Sequence, residues 1–302
     1  MSVAACTEFL REVHGSDDLG QQLKAMTGLE EIVLLGRRSG YSFSARELMT
    51  ASAALSGSLG GSAPALSRPA AETAFHHYEY RIDELPGFEP VAAELPRLKI
   101  RPATADMAQF QADFRTEDLA STSLSPASAE FRAWNERTGA EPWRTGPSGL
   151  PANRGFHLFN LDEHVDHDGY ADYFAAKRRV VAALEDVFGD EVRFSGSLWY
   201  PPTSYRLWHT NEDHPGWRMY VVDSDRPFAG PRETSFFRYM NPRTQEIVTL
   251  HESPRTVRFF RIEQDPARLF WHCIVNPTDR HRWSFGFAVP DHWMDHLPPA
   301  GQ

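Results

Sequence analysis

The chain has 302 residues, 41% of them hydrophobic and 12% aromatic, which is enough apolar surface for a large core and excludes a disordered chain. Its formal net charge of −10 argues against nucleic acid as a partner, and no apolar run approaches the length of a membrane span, so a membrane role is excluded too. With no secretory signal and only two cysteines, Cys6 and Cys273, at opposite ends of the chain, a reducing cytoplasm without a disulfide framework is expected.

The first fifty residues read as short helices. Phe9, Leu10 and Val13 share a helical face, and Leu19, Leu23 and Met26 continue the spacing. Thr27-Gly-Leu-Glu30 and Ser44-Ala-Arg-Glu47 are both capping-box patterns, with Ile32, Val33 and Leu35 as the apolar face between them and Gly40 as a helix stop. Residues 51–74 are Ala, Ser, Gly, Pro and Leu in the main, a composition expected of a flexible tether with a reach of roughly 25–30 Å. The expected organisation is a helical domain over 1–50, a linker over 51–74 and a body over 75–302.

Within the body, residues 75–156 are irregular, with one helix expected near Ala127–Glu136. Gly169–Phe188 carries an apolar stripe at helical spacing through Tyr173, Phe174, Lys177, Val180, Val181, Leu184 and Val187, and Gly189 stops it. After Asp190 the text becomes short alternating runs. Strands are expected at 192–200, 206–210, 218–222, 236–240, 246–250, 255–262, 269–275 and 282–289, separated by turns rich in Pro, Asn and Asp. So many strands at this spacing predict a β-sandwich or roll, and an α+β fold with helices flanking it.

Two histidines stand out on these strands. His209 begins His209-Thr-Asn211, and residues two apart on a strand share a face. His272 lies in a second strand, with Cys273 facing away from it as a packing residue, and a third strand carries Arg282 and Ser284 on one face. A competing cluster, Asp162-Glu-His164-Val-Asp166-His167-Asp168, precedes the long helix and contains a literal His-x-Asp; capping of that helix is the plainer reading. Arg206, Arg218, Arg238 and Arg258 are candidates for binding carboxylates or for surface ion pairs.

Two resemblances follow from these residues. Residues 9–50, through Leu19 and Leu23, the apolar run 32–35 and the Gly40-Tyr-Ser-Phe-Ser44 turn, resemble a Nif11 domain, a small helical family often found as the leader of ribosomally made, modified peptides. This implies a recognition module fused to an enzyme, or a relic. Residues 190–290, through His209, His272, Arg282 and Ser284, resemble the double-stranded β-helix (jelly-roll or cupin-like) dioxygenases. That resemblance implies Fe(II) held by His209 and His272, with 2-oxoglutarate as cosubstrate gripped by Arg282 and Ser284, and hydroxylation of a C–H bond. The family pattern has a carboxylate two residues after the first histidine, and here Asn211 stands in that position. Three completions of the metal site are open: Asn211 through its oxygen, Glu212 or Asp213 turned inward, or water or another anion, as in halogenase-type sites. The substrate expected is a peptide or a small molecule, and the alternative function is a non-catalytic ligand- or peptide-binding protein on the same scaffold.

Overall fold

The computed structural model describes residues 3–58, 77–139 and 153–297. Four helices open the chain: α1 (Val3–Gly15), α2 (Asp17–Lys24), α3 (Leu29–Arg38) and α4 (Ala45–Ser58). They close on their own small core of Cys6, Phe9, Val13, Val33, Leu35, Phe43 and Leu48. The Ser44 box forms as expected, with Glu47 accepting from the Ser44 N–H at 2.8 Å and the Ser44 hydroxyl accepting from the Glu47 N–H at 3.3 Å. The first box is displaced by one residue. Gly28 caps α3, and Glu31, not Glu30, reaches back to the N–H groups of Thr27 (2.9 Å) and Gly28 (3.3 Å). Helix α4 runs as far as Ser58, into the segment expected as tether, because Ala51-Ser-Ala-Ala-Leu55 favours helix. Residues 59–74 of that expected linker lie outside the described residues.

The body begins with strand β1 (Tyr78–Arg81), followed by helices α5 (Glu89–Leu98), α6 (Met107–Asp113), α7 (Thr116–Ser121) and α8 (Ala129–Gly139). The short strands β2 (Phe156–His157) and β3 (Phe159–Asn160) lead to the long helix α9 (Tyr170–Phe188), which Gly189 ends at φ +64°. Then come β4 (Arg193–Tyr200), β5 (Ser204–His209), β6 (Gly216–Ser224), β7 (Phe236–Met240), β8 (Ile247–His251), β9 (Thr256–Ile262), β10 (His272–Asn276) and β11 (Arg282–Ala288).

These strands form two antiparallel sheets, ordered β1-β9-β6-β11-β4-β3 and β2-β5-β10-β7-β8. From β4 onward the chain alternates between them: β4, β6, β9 and β11 lie in the first, and β5, β7, β8 and β10 in the second. This winding is a double-stranded β-helix. Strand alternation gives each sheet two apolar faces. Trp199, Met219, Val221, Phe259, Phe285 and their neighbours pack outward on α5 and α9. Leu207, Trp208, Cys273 and Val275 pack outward from the second sheet on Phe131 and Trp134 of α8. Tyr200, Phe237, Phe260, Phe270 and Ile274 fill the space between the sheets.

The N-terminal helices sit on the body, not free of it. Ala25 belongs to the body's core, with Met26 and Leu34 packed against it. Beneath them lies a closed ionic cluster. Lys177 of α9 donates to Asp162 at 2.8 Å and to Glu31 of α3 at 3.2 and 3.3 Å, and all three side chains are fully buried. Tyr170 donates to Glu31 (2.9 Å), Tyr173 to Asp162 (2.7 Å), and the Thr27 hydroxyl also bonds Asp162. The head could be a tethered recognition module, a relic or a structural cap on the body; its contacts are those of a cap, packed on the outer side of the first sheet.

Close approach at this seam requires Gly28, because a Cβ there would lie 2.7 Å from the Asp162 carbonyl oxygen. Gly28→Ala is therefore expected to destabilise the protein by about 1–3 kcal/mol, as overpacking does. Gly20→Ala, inside α2 with open space around it, should instead stabilise by about 0.5–1 kcal/mol. Thermal denaturation of the two variants measures both, and equal melting temperatures would show that the seam has slack.

Candidate functional site

His209 ends β5 and His272 begins β10, and the two face each other in register. Between that pair and the next, Arg206 opposite Ile274, β5 carries one residue more than β10. The bulge turns Leu207 and Trp208 together toward α8 and leaves Arg206 and His209 on the inner side. The imidazole centroids are 4.0 Å apart.

Both rings are held the same way. His209 Nδ1 meets the Leu207 carbonyl oxygen at 2.7 Å, and His272 Nδ1 meets that of Phe270 at 2.9 Å. A carbonyl only accepts, so each Nδ1 carries the proton and each Nε2 carries a bare lone pair. His209 Nε2 is enclosed without a hydrogen-bond partner. Burial, the Arg206 guanidinium and the neighbouring His272 hold the His209 pKa well below its ordinary value. Burial, with Arg206 and Arg258 nearby, pushes His272 down to about 3 against the bond to Phe270. Both rings are thus neutral at physiological pH, the state in which imidazole binds a metal.

Asn211 lies beyond the end of β5 at φ +57°, a conformation asparagine tolerates, so the two-residue strand alternation does not apply to it. It still reaches the pair: its Nδ2 is 3.4 Å from His272 Nε2, and its Oδ1 accepts from Arg206 Nη2 at 3.1 Å. The guanidinium has no acceptor, which settles the orientation of the amide. Glu212 and Asp213 are exposed on the following turn. Among the described residues no group of three His, Cys, Asp or Glu side chains is placed to hold a metal.

Beside the histidines a narrow cleft with a cavity of about 10 Å³ lies between the sheets, lined by Arg206, Arg258, Arg282, Ser284 and His272 among apolar side chains. Arg282 is already gripped. Its Nε and Nη2 donate to Glu252 at 2.6 and 2.8 Å, and its guanidinium lies over the Tyr200 ring at 4.5 Å. The fork expected to hold a cosubstrate carboxylate is therefore turned to Glu252, and Nη1 alone remains enclosed without a partner. Glu252 also accepts from Arg258 (3.0 Å) and Ser235 (2.7 Å). Two guanidinium groups overcome burial and hold its carboxyl at about 2. Ser284, almost fully buried, lines the cleft as expected from its position on β11.

The competing cluster does not converge on a metal site among the described residues. Asp162 belongs to the head–body seam, His164 Nδ1 meets the Thr104 hydroxyl at 2.8 Å, and α9 is capped by Gly169 without a side-chain bond. Cys273 points away from His272 into the α8 layer, and burial raises its thiol pKa. Sequence reasoning missed Glu252, whose position gives no local signal because its partner Arg282 lies thirty residues on.

The Nif11 domain model matches residues 1–48. No curated protein matches the chain in sequence. Among solved structures, an oxidoreductase of the 2OG-Fe(II) oxygenase family from Burkholderia pseudomallei is 13% identical over 64% of this chain and 95% of its own, with a TM-score of 0.30. A prolyl-4-hydroxylase from Pseudomonas putida is 11% identical over 71% and 91%, with a TM-score of 0.31. A prolyl hydroxylase from Trichoplax adhaerens, in complex with a hypoxia-inducible factor peptide fragment, is 13% identical over 63% and 95%, with a TM-score of 0.33. No helix among the described residues is long and apolar enough to cross a membrane. Residues 1–48 of this chain are a Nif11 domain, joined to a body wound as a double-stranded β-helix.

Proposed function

We propose that the protein is an Fe(II)- and 2-oxoglutarate-dependent oxygenase that hydroxylates a C–H bond of a peptide or small molecule. One observation carries this reading: two neutral imidazoles on adjoining strands, with ring centroids 4.0 Å apart, keep unprotonated Nε2 atoms inside a double-stranded β-helix, that of His209 without a partner. Their Nδ1–H bonds to backbone carbonyls fix the tautomer, as the outer partners of metal-ligating histidines do. His209 and His272 would hold the iron, with Asn211 in the third position and its amide steadied by Arg206. Iron would supply oxygen activation coupled to decarboxylation of 2-oxoglutarate. Arg282 Nη1 and Ser284 would bind the cosubstrate, with Glu252 fixing the Arg282 guanidinium in place. A peptide substrate is supported by the Nif11 domain alone.

A second reading has its own observation. Asn211 is neutral, its oxygen is engaged by a cation, and the Arg282 fork is occupied, all of which suit a binding protein that holds no metal. Anaerobic Fe(II) titration followed by exposure to oxygen separates the two. The oxygenase binds one iron per chain and converts 2-oxoglutarate to succinate; a protein that binds no iron is the binder.

A further inference from the structure

The Asn211 amide presents the wrong atom to the histidines for metal binding. Oxygen is what an amide offers a divalent cation, and here Oδ1 accepts from Arg206 Nη2 at 3.1 Å. The nitrogen faces the imidazoles instead: Nδ2 lies 3.4 Å from His272 Nε2, a long hydrogen bond to the lone pair a metal would need. Of the two unprotonated imidazole nitrogens, that of His209 is without a partner and that of His272 is covered.

Arg206 holds this arrangement. It stands on β5 opposite Ile274 of β10, and its guanidinium lies over the Phe156 ring at 4.7 Å. Its Nε is enclosed without a hydrogen-bond partner. Turning the amide so that Oδ1 faces the imidazoles strips Nη2 of its acceptor as well, and enclosed guanidinium N–H groups are costly to leave unpaired. The turn also brings Nδ2, a donor, toward a group that only donates. The guanidinium charge acts on both imidazoles, and it repels a dication placed beside them. We propose that Arg206 is a positioning residue that withholds the Asn211 oxygen from the metal position and so keeps the affinity of the histidine pair for a divalent metal low. The proposal deepens the oxygenase reading and rests on the metal position in it. A residue that merely braced a ligand would weaken metal binding when removed. Loss of Arg206 instead strengthens it, because the amide is free to turn and one fixed cation fewer stands beside the site. Asn211 contributes as a ligand only once Arg206 releases it.

The test is titration of the full chain with Co(II), which has the charge of Fe(II) and resists oxidation by air. Visible absorption reports the donor set of the bound metal, and a melting curve of each variant in EDTA reports the fold. Arg206→Met keeps the stem and removes the charge and the donors. It is expected to bind Co(II) about ten- to a hundredfold tighter than wild type, while Arg206→Lys, which keeps the charge, stays near wild type. Asn211→Gly suits the left-handed backbone at this position. It is expected not to weaken Co(II) binding on an otherwise wild-type chain, and to abolish most of the gain in the Arg206→Met background, so the two substitutions are not additive. An Arg206→Met protein that binds no tighter than a metal-binding wild type overturns the proposal and leaves the oxygenase reading standing. A wild type that binds no Co(II), beside an Arg206→Met protein that does, supports the proposal and overturns the oxygenase reading. Absence of binding in both overturns the two together. Should Arg206→Met fail to fold, Asn211→Gly decides alone: undiminished affinity supports the proposal, and a loss of about tenfold or more shows an amide that already ligates and overturns it.

Discussion

Lys177→Met is expected to destabilise the protein by about 3–5 kcal/mol, as loss of one partner from a buried ionic cluster does. For a chain of this size that is a fall in melting temperature on the order of 10 °C. The cluster holds two carboxylates against one ammonium, all fully buried. Methionine matches the length of the lysine stem but removes the only cation among these three, so Glu31 and Asp162 are left buried together without it. Burial, aided by the Asp162 charge and opposed by Lys177, already raises the Glu31 pKa to about 7. The sign of the pH dependence follows. The folded protein holds the Glu31 proton more tightly than the unfolded chain does, so this group's contribution is fully present below the ordinary carboxylate value near 4.5 and is lost as pH rises through about 7. Glu31→Gln removes that slope, leaving Lys177 and Asp162 as a balanced pair. Melting curves between pH 5 and 8 should therefore show the wild type losing stability relative to Glu31→Gln. Glu252 acts in the opposite direction, since its lowered pKa gives stability that acidification removes, and comparison of the two proteins cancels it. A Lys177→Met protein as stable as wild type at pH 8 would show that the seam is held by its apolar contacts alone.

This seam also shows what a linear reading can and cannot see. Lys177 stood in the apolar stripe of α9, a sign of a buried charge, but its partner Glu31 is 146 residues away and nothing local pairs them. Strands β4 to β11 were legible because alternating side chains and proline-bearing turns mark each one. Helices α5 to α7 were not: α6 and α7 are too short to establish a period, and α5 carries Pro90 at its start and Pro96 within it. The histidine pair was visible as two strand residues, but the bulge that turns Arg206 and His209 inward together is set by pairing with β10. Asn211 was placed beside His209 by strand alternation, and it reaches the pair for a different reason, a left-handed turn after the strand. Arg282 and Ser284 were read on one face of β11, and both line the cleft; that Arg282 is gripped by Glu252 depends on the loop after β8, which sequence spacing does not bring near it.

His209→Ala and His272→Ala are each expected to lower Fe(II) affinity by a hundredfold or more, roughly 3 kcal/mol, since each removes one of the two imidazoles in a site with no protein carboxylate. The two losses should be similar because the rings are held alike, each by its Nδ1 on a carbonyl two residues earlier. Their structural costs differ. His272 is stacked on Phe237, packed against Phe260 and Phe270 and almost fully buried, so its truncation opens a cavity; His209 is half-buried at the end of its strand. His272→Ala should therefore lower the melting temperature of the metal-free protein more than His209→Ala does. His272→Gln supplies the control, filling most of the space with a neutral group that is a poorer ligand. If the histidines are ligands, His272→Gln recovers stability without recovering iron affinity. If they serve only to pack the space between the sheets, it recovers stability and iron binding is the same in every variant. Calorimetric titration with Fe(II) under nitrogen, paired with a melting curve of each variant in EDTA, reads the two effects separately, and unchanged iron affinity in both alanine variants removes the metal centre from this pair.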